Sequence, residues 1–278
     1  MTQRWLITGA SRGIGRALAE AVLAAGHRLV ATARDPAQLN DLVRMHGDAV
    51  RTFSLDVTDP AQGDRAVGVA RDAFGGLDVL VNNAGYGDVN SVEDASLAEI
   101  RQQVETNLFG TIIMTKAAIP LMREQGSGHI IQFSSVGGRI GAPGRAAYSA
   151  AKWGVEGFSE SLAREMALIG VHVTIVEPGG FRTDFAGSST TLHEGRRDYD
   201  AVVGATARAQ RAYDGQQPGD PARAGAALLK LASLPHPPLR LVLGSDALDV
   251  IAAADRARLQ ELEQWHSLSA STDYPGAG

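Results

Sequence analysis

Seven short apolar runs, separated by stretches with helical periodicity, constrain this 278-residue chain more than any other feature. The runs are "RWLIT" (residues 4–8), "RLVATA" (28–33), "VRTFSLDV" (50–57), "DVLVNNAG" (78–85), "HIIQFSS" (129–135), "VHVTIVEPGG" (171–180) and "LRLVLG" (239–244). Helical patterns fill 14–26, the segments after Pro36 and Pro60, then 97–125, 145–169 and 247–266. Strands that alternate with helices cannot pair as hairpins. They pair in parallel through right-handed crossovers, with both sheet faces covered. The expectation is an α/β fold formed by one domain over residues 1–278, a doubly wound, seven-stranded parallel sheet with helices on both faces.

Two regions break the rhythm. Residues 181–218 are too long for a plain connection and read as a substrate loop or lid. The small, polar segment "SLSASTDYPGAG" (267–278) reads as a flexible tail.

A net charge of -5 argues against a nucleic-acid or acidic-membrane partner, which needs a basic face. There is no cysteine, which excludes disulfides, thiolate nucleophiles and cysteine-ligated metals and fits a reducing cytoplasm. The beginning "MTQRWLITGASRGIG" does not read as a signal peptide, and no window approaches the roughly 18 to 20 apolar residues that cross a bilayer. The histidines show no metal-ligand spacing, so no metal site is expected. These features point to a cytoplasmic protein.

"TGASRGIG" falls where the first strand meets the first helix. Gly9, Gly13 and Gly15 allow a sharp turn close to a pyrophosphate, and the helix N-terminus near Ile14 offers unpaired N–H groups to the anion. The spacing G-x-x-x-G-x-G departs from the common dinucleotide fingerprint. At the end of the second strand an acidic residue would bind the ribose hydroxyls of NAD. Here "ATARD" presents Arg34, and Arg12 lies inside the turn, so two guanidiniums are available for a 2′-phosphate. NADP(H) is therefore favoured over NAD(H), with Asp35 as a possible neutralising partner of Arg34.

With "TGASRGIG", "NNAG", "YSAAK" and "PGGFRT" in this order, the chain resembles the short-chain dehydrogenase/reductase family from about Trp5 to Leu243. The "ATARDP" ending is similar to NADP-preferring members, among them hydroxysteroid dehydrogenases and ketoreductases. The resemblance implies a Rossmann-type domain and a site residue by residue. Asn107, Ser135, Tyr148 and Lys152 match the catalytic asparagine, the serine thirteen residues before the tyrosine, and the Tyr-x-x-x-Lys pair. Ser11 belongs to the glycine turn. Asp56 and Val57 match the adenine contact, Asn83, Ala84 and Gly85 the turn at the adenine ribose, and Pro178, Gly179 and Thr183 the segment against the nicotinamide.

Reducing a ketone requires a hydride at carbon and a proton at oxygen, so a donor must reach that oxygen. Lys152, one helical turn from Tyr148, is expected to lower the phenol's pKa together with an oxidised nicotinamide ring. Tyr148 is then general acid in reduction and base in oxidation, with Ser135 holding the substrate oxygen. The family mechanism implies that Lys152 also binds the nicotinamide ribose and that Asn107 helps hold a relay water. Structural alternatives remain for Asn107, as a helix kink, and for Asp56, as a turn residue.

Phe181, Phe185, Tyr199, Tyr213, Ile140 and Pro143 are candidates for an apolar wall around a small-molecule carbonyl or alcohol. Arg196 and Arg197 would greet an acidic tail or simply form a solvated face. The leading reading is an NADP(H)-dependent carbonyl reductase or alcohol dehydrogenase. A noncatalytic nucleotide sensor and an epimerase or dehydratase are the alternatives. The resemblance also implies a homodimer or homotetramer packed through the two long helices.

Overall fold

The computed structural model describes residues 2–187 and 189–274. Strand β1 (Arg4–Ile7) runs through the glycine turn into α1 (Gly13–Ala24), followed by β2 (Arg28–Ala33), α2 (Asn40–His46), β3 (Val50–Ser54), α3 (Pro60–Phe74) and β4 (Val79–Asn82). Then come β5 (Gly87–Val89), α4 (Leu97–Val104), α5 (Gly110–Gln125), β6 (Gly128–Phe133), α6 (Ala146–Met166) and β7 (Val171–Pro178). The chain continues through β8 (Thr190–Leu192), α7 (Ala205–Tyr213), α8 (Pro221–Ala232), β9 (Arg240–Leu243), α9 (Ser245–Gln264) and α10 (His266–Ala270).

The seven expected strands form one all-parallel sheet in the order β3-β2-β1-β4-β6-β7-β9. Alternate residues of each strand face opposite layers, so a strand buried on both sides must be apolar throughout. Trp5 and Ile7 pack into the layer of α1 and α8, whereas Leu6 packs into the layer of α3, α5 and α6. Val79 and Val81 divide from Leu80 in the same way.

Local chemistry sets the helix ends. Asp59 accepts N–H bonds from Ala61 and Gln62 at 2.9 and 3.2 Å, with Pro60 opening α3. Ser96 and Glu99 form a reciprocal capping box on α4.

The structure departs from the expected elements in four places. The single helix expected over 97–125 is interrupted by a π turn, Glu105–Phe109. A second, two-stranded sheet joins β5 to β8 inside the long insertion, with Gly87 opposite Thr190. Helix α8 was not anticipated, although Asp220 caps the Ala222 N–H at 2.8 Å and Pro221 starts it. Within the expected tail, residues 267–270 continue as helix, and residues 275–278 lie outside the described ones.

Helices α1 and α8 approach so closely that a Cβ at Gly225 would lie 2.8 Å from the Ala17 carbonyl oxygen. At Gly157, on the exposed side of α6, a Cβ would meet nothing. Gly225→Ala should therefore destabilise the fold by about 1–3 kcal/mol. Gly157→Ala should stabilise it by about 0.5–1 kcal/mol through the unfolded chain. Urea unfolding measures both, and equal effects at the two positions would refute the close-packing argument.

Candidate active site

The order of strands reverses between β1 and β4, which leaves a crevice at their carboxyl ends. Two side chains clamp the turns that border it. Asn83 donates its amide to the carbonyls of Thr8 and Gly9 at 2.9 and 3.0 Å, while the Thr8 hydroxyl accepts the N–H groups of Asn83 and Ala84, both at 3.0 Å. Gly9 and Gly13 have φ of 66° and 59°, a region that favours glycine. A side chain at Gly15 would collide with the Asn83 amide.

A cleft of about 880 Å³ runs from this turn, and all but one of the expected catalytic and cofactor residues line it. Gly15 is the exception. It is buried behind the turn, where its missing side chain makes room for the clamp. At the entrance Arg12 and Arg34 are exposed, and among the described residues neither pairs with a carboxylate. Asp35 instead accepts the Ala37 N–H at 3.0 Å, which leaves Arg34 free of it. Asp56 forms a local turn, accepting from the Thr58 N–H at 3.0 Å and its hydroxyl at 2.7 Å.

At the inner end, Tyr148 and Lys152 lie on one face of α6 and are almost fully buried. The Lys152 ammonium donates to the Phe133 carbonyl at 2.8 Å and sits 5.9 Å from the Tyr148 ring centre. The Tyr148 ring lies against Gly137, where a Cβ would come within 2.9 Å of it, and packs on Phe185 at 5.7 Å between ring centres. Ser135 accepts the Gly137 N–H at 3.0 Å, which fixes its oxygen beside that ring.

Asn107 occupies the middle of the π turn and is fully buried. Its amide exchanges bonds with the Tyr86 backbone at 3.1 and 3.3 Å and donates to Gln103 Oε1 at 2.6 Å. The side chain is thus committed to holding the turn after β4. A Cβ at Gly85 would lie 2.5 Å from Asn107 Oδ1 and 3.7 Å from Lys152 Nζ, so these three positions converge.

Burial pushes the Tyr148 phenol up from its ordinary value, with Ser135 and the positive charge of Arg145 opposing. In the chain by itself, removal from water outweighs the charge of Arg145; the expected lowering is an effect of Lys152 acting together with an oxidised nicotinamide ring. Burial likewise pushes Lys152 down to about 8, against the attraction of Glu156.

The insertion closes over this end, and Phe181, Phe185, Tyr213 and Ile140 line the cleft as expected. Tyr199 and Pro143 do not. Tyr199 bonds Glu93 at 2.7 Å, and Arg196 pairs with Glu93 and Asp94, each at 2.6 Å, so that arginine belongs to the outer surface. Sequence reasoning missed Arg145, Gln210 and Gln217 on the cleft wall. Gln217 is 1% exposed and neither of its amide atoms has a protein partner. Only the spacing of Arg145 from Tyr148 gave any sign of it. Among the described residues no cluster suits a metal ion, and no helix is long and apolar enough to cross a membrane.

The pattern of the short chain dehydrogenase family matches residues 3–193. The chain belongs to that family. It is an oxidoreductase by this membership, and the relatives agree. It is 46% identical over 270 residues to "Oxidoreductase BOA17" of Botryotinia fuckeliana, covering 97% of this chain and 98% of that relative. It is 35% identical over 241 residues to "3-ketodihydrosphingosine reductase" of Bacteroides thetaiotaomicron, covering 86% and 87% of the two chains. A short-chain dehydrogenase from Streptomyces avermitilis superposes with a TM-score of 0.91 at 41% identity, over 99% of this chain and 100% of that one.

The depressed Lys152 gives a prediction whose sign is fixed. The folded chain holds fewer protons than the unfolded chain between pH 8 and the ordinary lysine value, so stability rises with pH through that window. Below it, the buried charge is destabilising. Lys152→Met should be more stable than the natural protein at neutral pH, and the gap should close by about 2 kcal/mol near pH 9.5. Paired urea titrations at the two pH values test this. A gap independent of pH would show that Lys152 carries no buried charge.

Proposed function

We propose that this chain interconverts a ketone and a secondary alcohol with NADP(H) as hydride partner, Tyr148 being the general acid in reduction and the general base in oxidation. The convergence of Tyr148, Ser135 and Lys152 at the inner end of one cleft, with the glycine turn at its other end, carries the reading.

The residues present fit a dinucleotide. Positive φ at Gly9 and Gly13 brings backbone N–H groups and the α1 N-terminus to the turn, where a pyrophosphate would be held. Ser11 and Ile14 flank it, and Asp56, Val57, Asn83 and Ala84 would border the adenosine. Gly85 and Lys152 line the cleft together, suited to the nicotinamide ribose, and Pro178, Gly179 and Thr183 would border the ring. Arg12 and Arg34, without carboxylate partners, support a 2′-phosphate and hence NADP(H) over NAD(H). When bound, the nicotinamide supplies or accepts the hydride.

The chain's own groups handle the proton. With its pKa raised by burial, the Tyr148 phenol holds its proton at neutral pH and can deliver it from Oη to a carbonyl oxygen. The Ser135 hydroxyl steadies that oxygen as negative charge develops. The Lys152 charge, pinned to the Phe133 carbonyl, favours the phenolate left behind. Asn107 acts by holding the turn that carries Gly85. Phe185 shields the phenol from bulk water.

We also propose a homodimer or homotetramer, supported by Phe109 and Trp153, both 46% exposed on the long helices. Sedimentation velocity at micromolar concentration should give a dimer or larger, and a monomer would overturn this. Tyr148→Phe should lower ketone reduction by about 10²- to 10⁴-fold while leaving NADPH binding near normal, as followed by nucleotide fluorescence. Retention of most activity would remove Tyr148 from the mechanism. Arg34→Asp should shift the NADPH-to-NADH ratio of kcat/KM towards NADH by about tenfold or more. An unchanged ratio sinks the 2′-phosphate assignment.

A further inference from the structure

Arg145 stands immediately before α6, three residues ahead of Tyr148, and its side chain lines the cleft. One terminal nitrogen donates to Gln210 Oε1 on α7 at 2.7 Å, and Gln210 is itself anchored to the Ala186 carbonyl at 3.3 Å. A guanidinium carries five N–H donors, and no other side-chain bond from Arg145 is made among the described residues.

Its surroundings set it apart. The other partly buried arginines, Arg4, Arg16, Arg51, Arg139 and Arg240, each pair with a carboxylate. That is the rule for charges removed from water. Arg145 has no carboxylate within 4.0 Å among the described residues. Asp88 on β5 attracts it without reaching contact, and burial pushes the Asp88 carboxyl up. A partly buried cation with free donors therefore faces the reacting end of the cleft.

We propose that Arg145 recognises a carboxylate on the substrate, so that the preferred substrates are oxo acids and the corresponding hydroxy acids. The inference rests on the ketone–alcohol reading above. Arg145 and Tyr148 line the same cleft, and the charge of Arg145 acts on the Tyr148 phenol, which places the carboxylate a few bonds from the carbon that reacts beside Tyr148. Gln210 holds the guanidinium in place, and Phe185 and Ile140 receive the hydrocarbon part. Planar, two-pronged pairing with a carboxylate is the geometry in which arginine surpasses lysine.

Acetoacetate and levulinate, each beside its methyl ester, are suitable probes with NADPH. The natural protein should favour acid over ester by about tenfold or more in kcat/KM. Arg145→Gln should lower that ratio by about tenfold or more, chiefly through the KM of the acid, and Arg145→Lys should retain part of it. Any influence of the Arg145 charge on Tyr148 is common to acid and ester and cancels in the ratio. Titration of acetate into the NADP⁺-loaded protein should likewise show binding that weakens in Arg145→Gln. Esters reduced as well as acids by the natural protein, or an acid-to-ester ratio unmoved in both variants, would overturn the carboxylate assignment alone. No turnover of any ketone, with NADPH still bound, would overturn the ketone–alcohol reading and this inference with it.

Discussion

The Asn83 amide, held between the carbonyls of Thr8 and Gly9, joins two strand ends that the sheet order leaves adjacent but the sequence keeps far apart. Parallel strands cannot be fastened by a hairpin, so their carboxyl ends separate unless side chains bridge them. The clamp explains the local sequence on both sides. Gly15 is small because the amide passes over it, and a Cβ at Gly9 would lie 3.0 Å from the Ala84 Cα. The same turn carries Gly85 to Asn107 and Lys152. One partly buried amide thereby helps set the distance between the glycine turn and the Tyr148–Lys152 end of the cleft.

Behind the site, electrostatics extends along α6. Tyr148, Lys152 and Glu156 recur every fourth residue and share one buried face. Glu156 meets Arg240 at 3.2 Å, and Arg240 also reaches Glu177, which is fully buried and paired with Arg139 at 3.0 Å. None of these four side chains lines the cleft. Burial disfavours the Lys152 ammonium, while Glu156 favours it.

The sheet and most site positions were legible because both depend on local pattern. Strand residues buried on two faces must be apolar, so their number and order follow from the runs alone. Glycines at positive φ and a Tyr–Lys pair one turn apart are likewise local. The π turn at Glu105–Phe109 was legible only as a helix kink at Asn107, since one extra residue in a single turn barely disturbs the apolar pattern and the bonds of Asn107 to the Tyr86 backbone are long-range. The upward push of burial on the Tyr148 phenol was not legible either. Spacing gives the distance to a cation, but the dominant contribution is burial, which depends on Phe185 and Gly137 arriving from elsewhere in the chain. Helix α8 carried its own signal in Asp220 and Pro221, obscured by the irregular insertion before it.

That insertion is not a loose flap. Gly180 and Gly219 pinch its ends together through a 2.9 Å backbone bond, and Arg182 donates to the Gln217 carbonyl at 2.7 Å. Strand β8 pairs with β5, and Arg196 ties the outer face to Glu93 and Asp94. Among the exposed groups of the insertion, Arg196, Arg208 and Arg211 pair with carboxylates. On the cleft wall, among the described residues, the amide of Gln217 and most donors of Arg145 lack partners. A fold that satisfies polar groups where it meets water, and leaves them unsatisfied where it lines a cleft, concentrates recognition on the inner wall. Buried polar groups without partners are costly, so those on the cleft wall are the ones a bound molecule would satisfy.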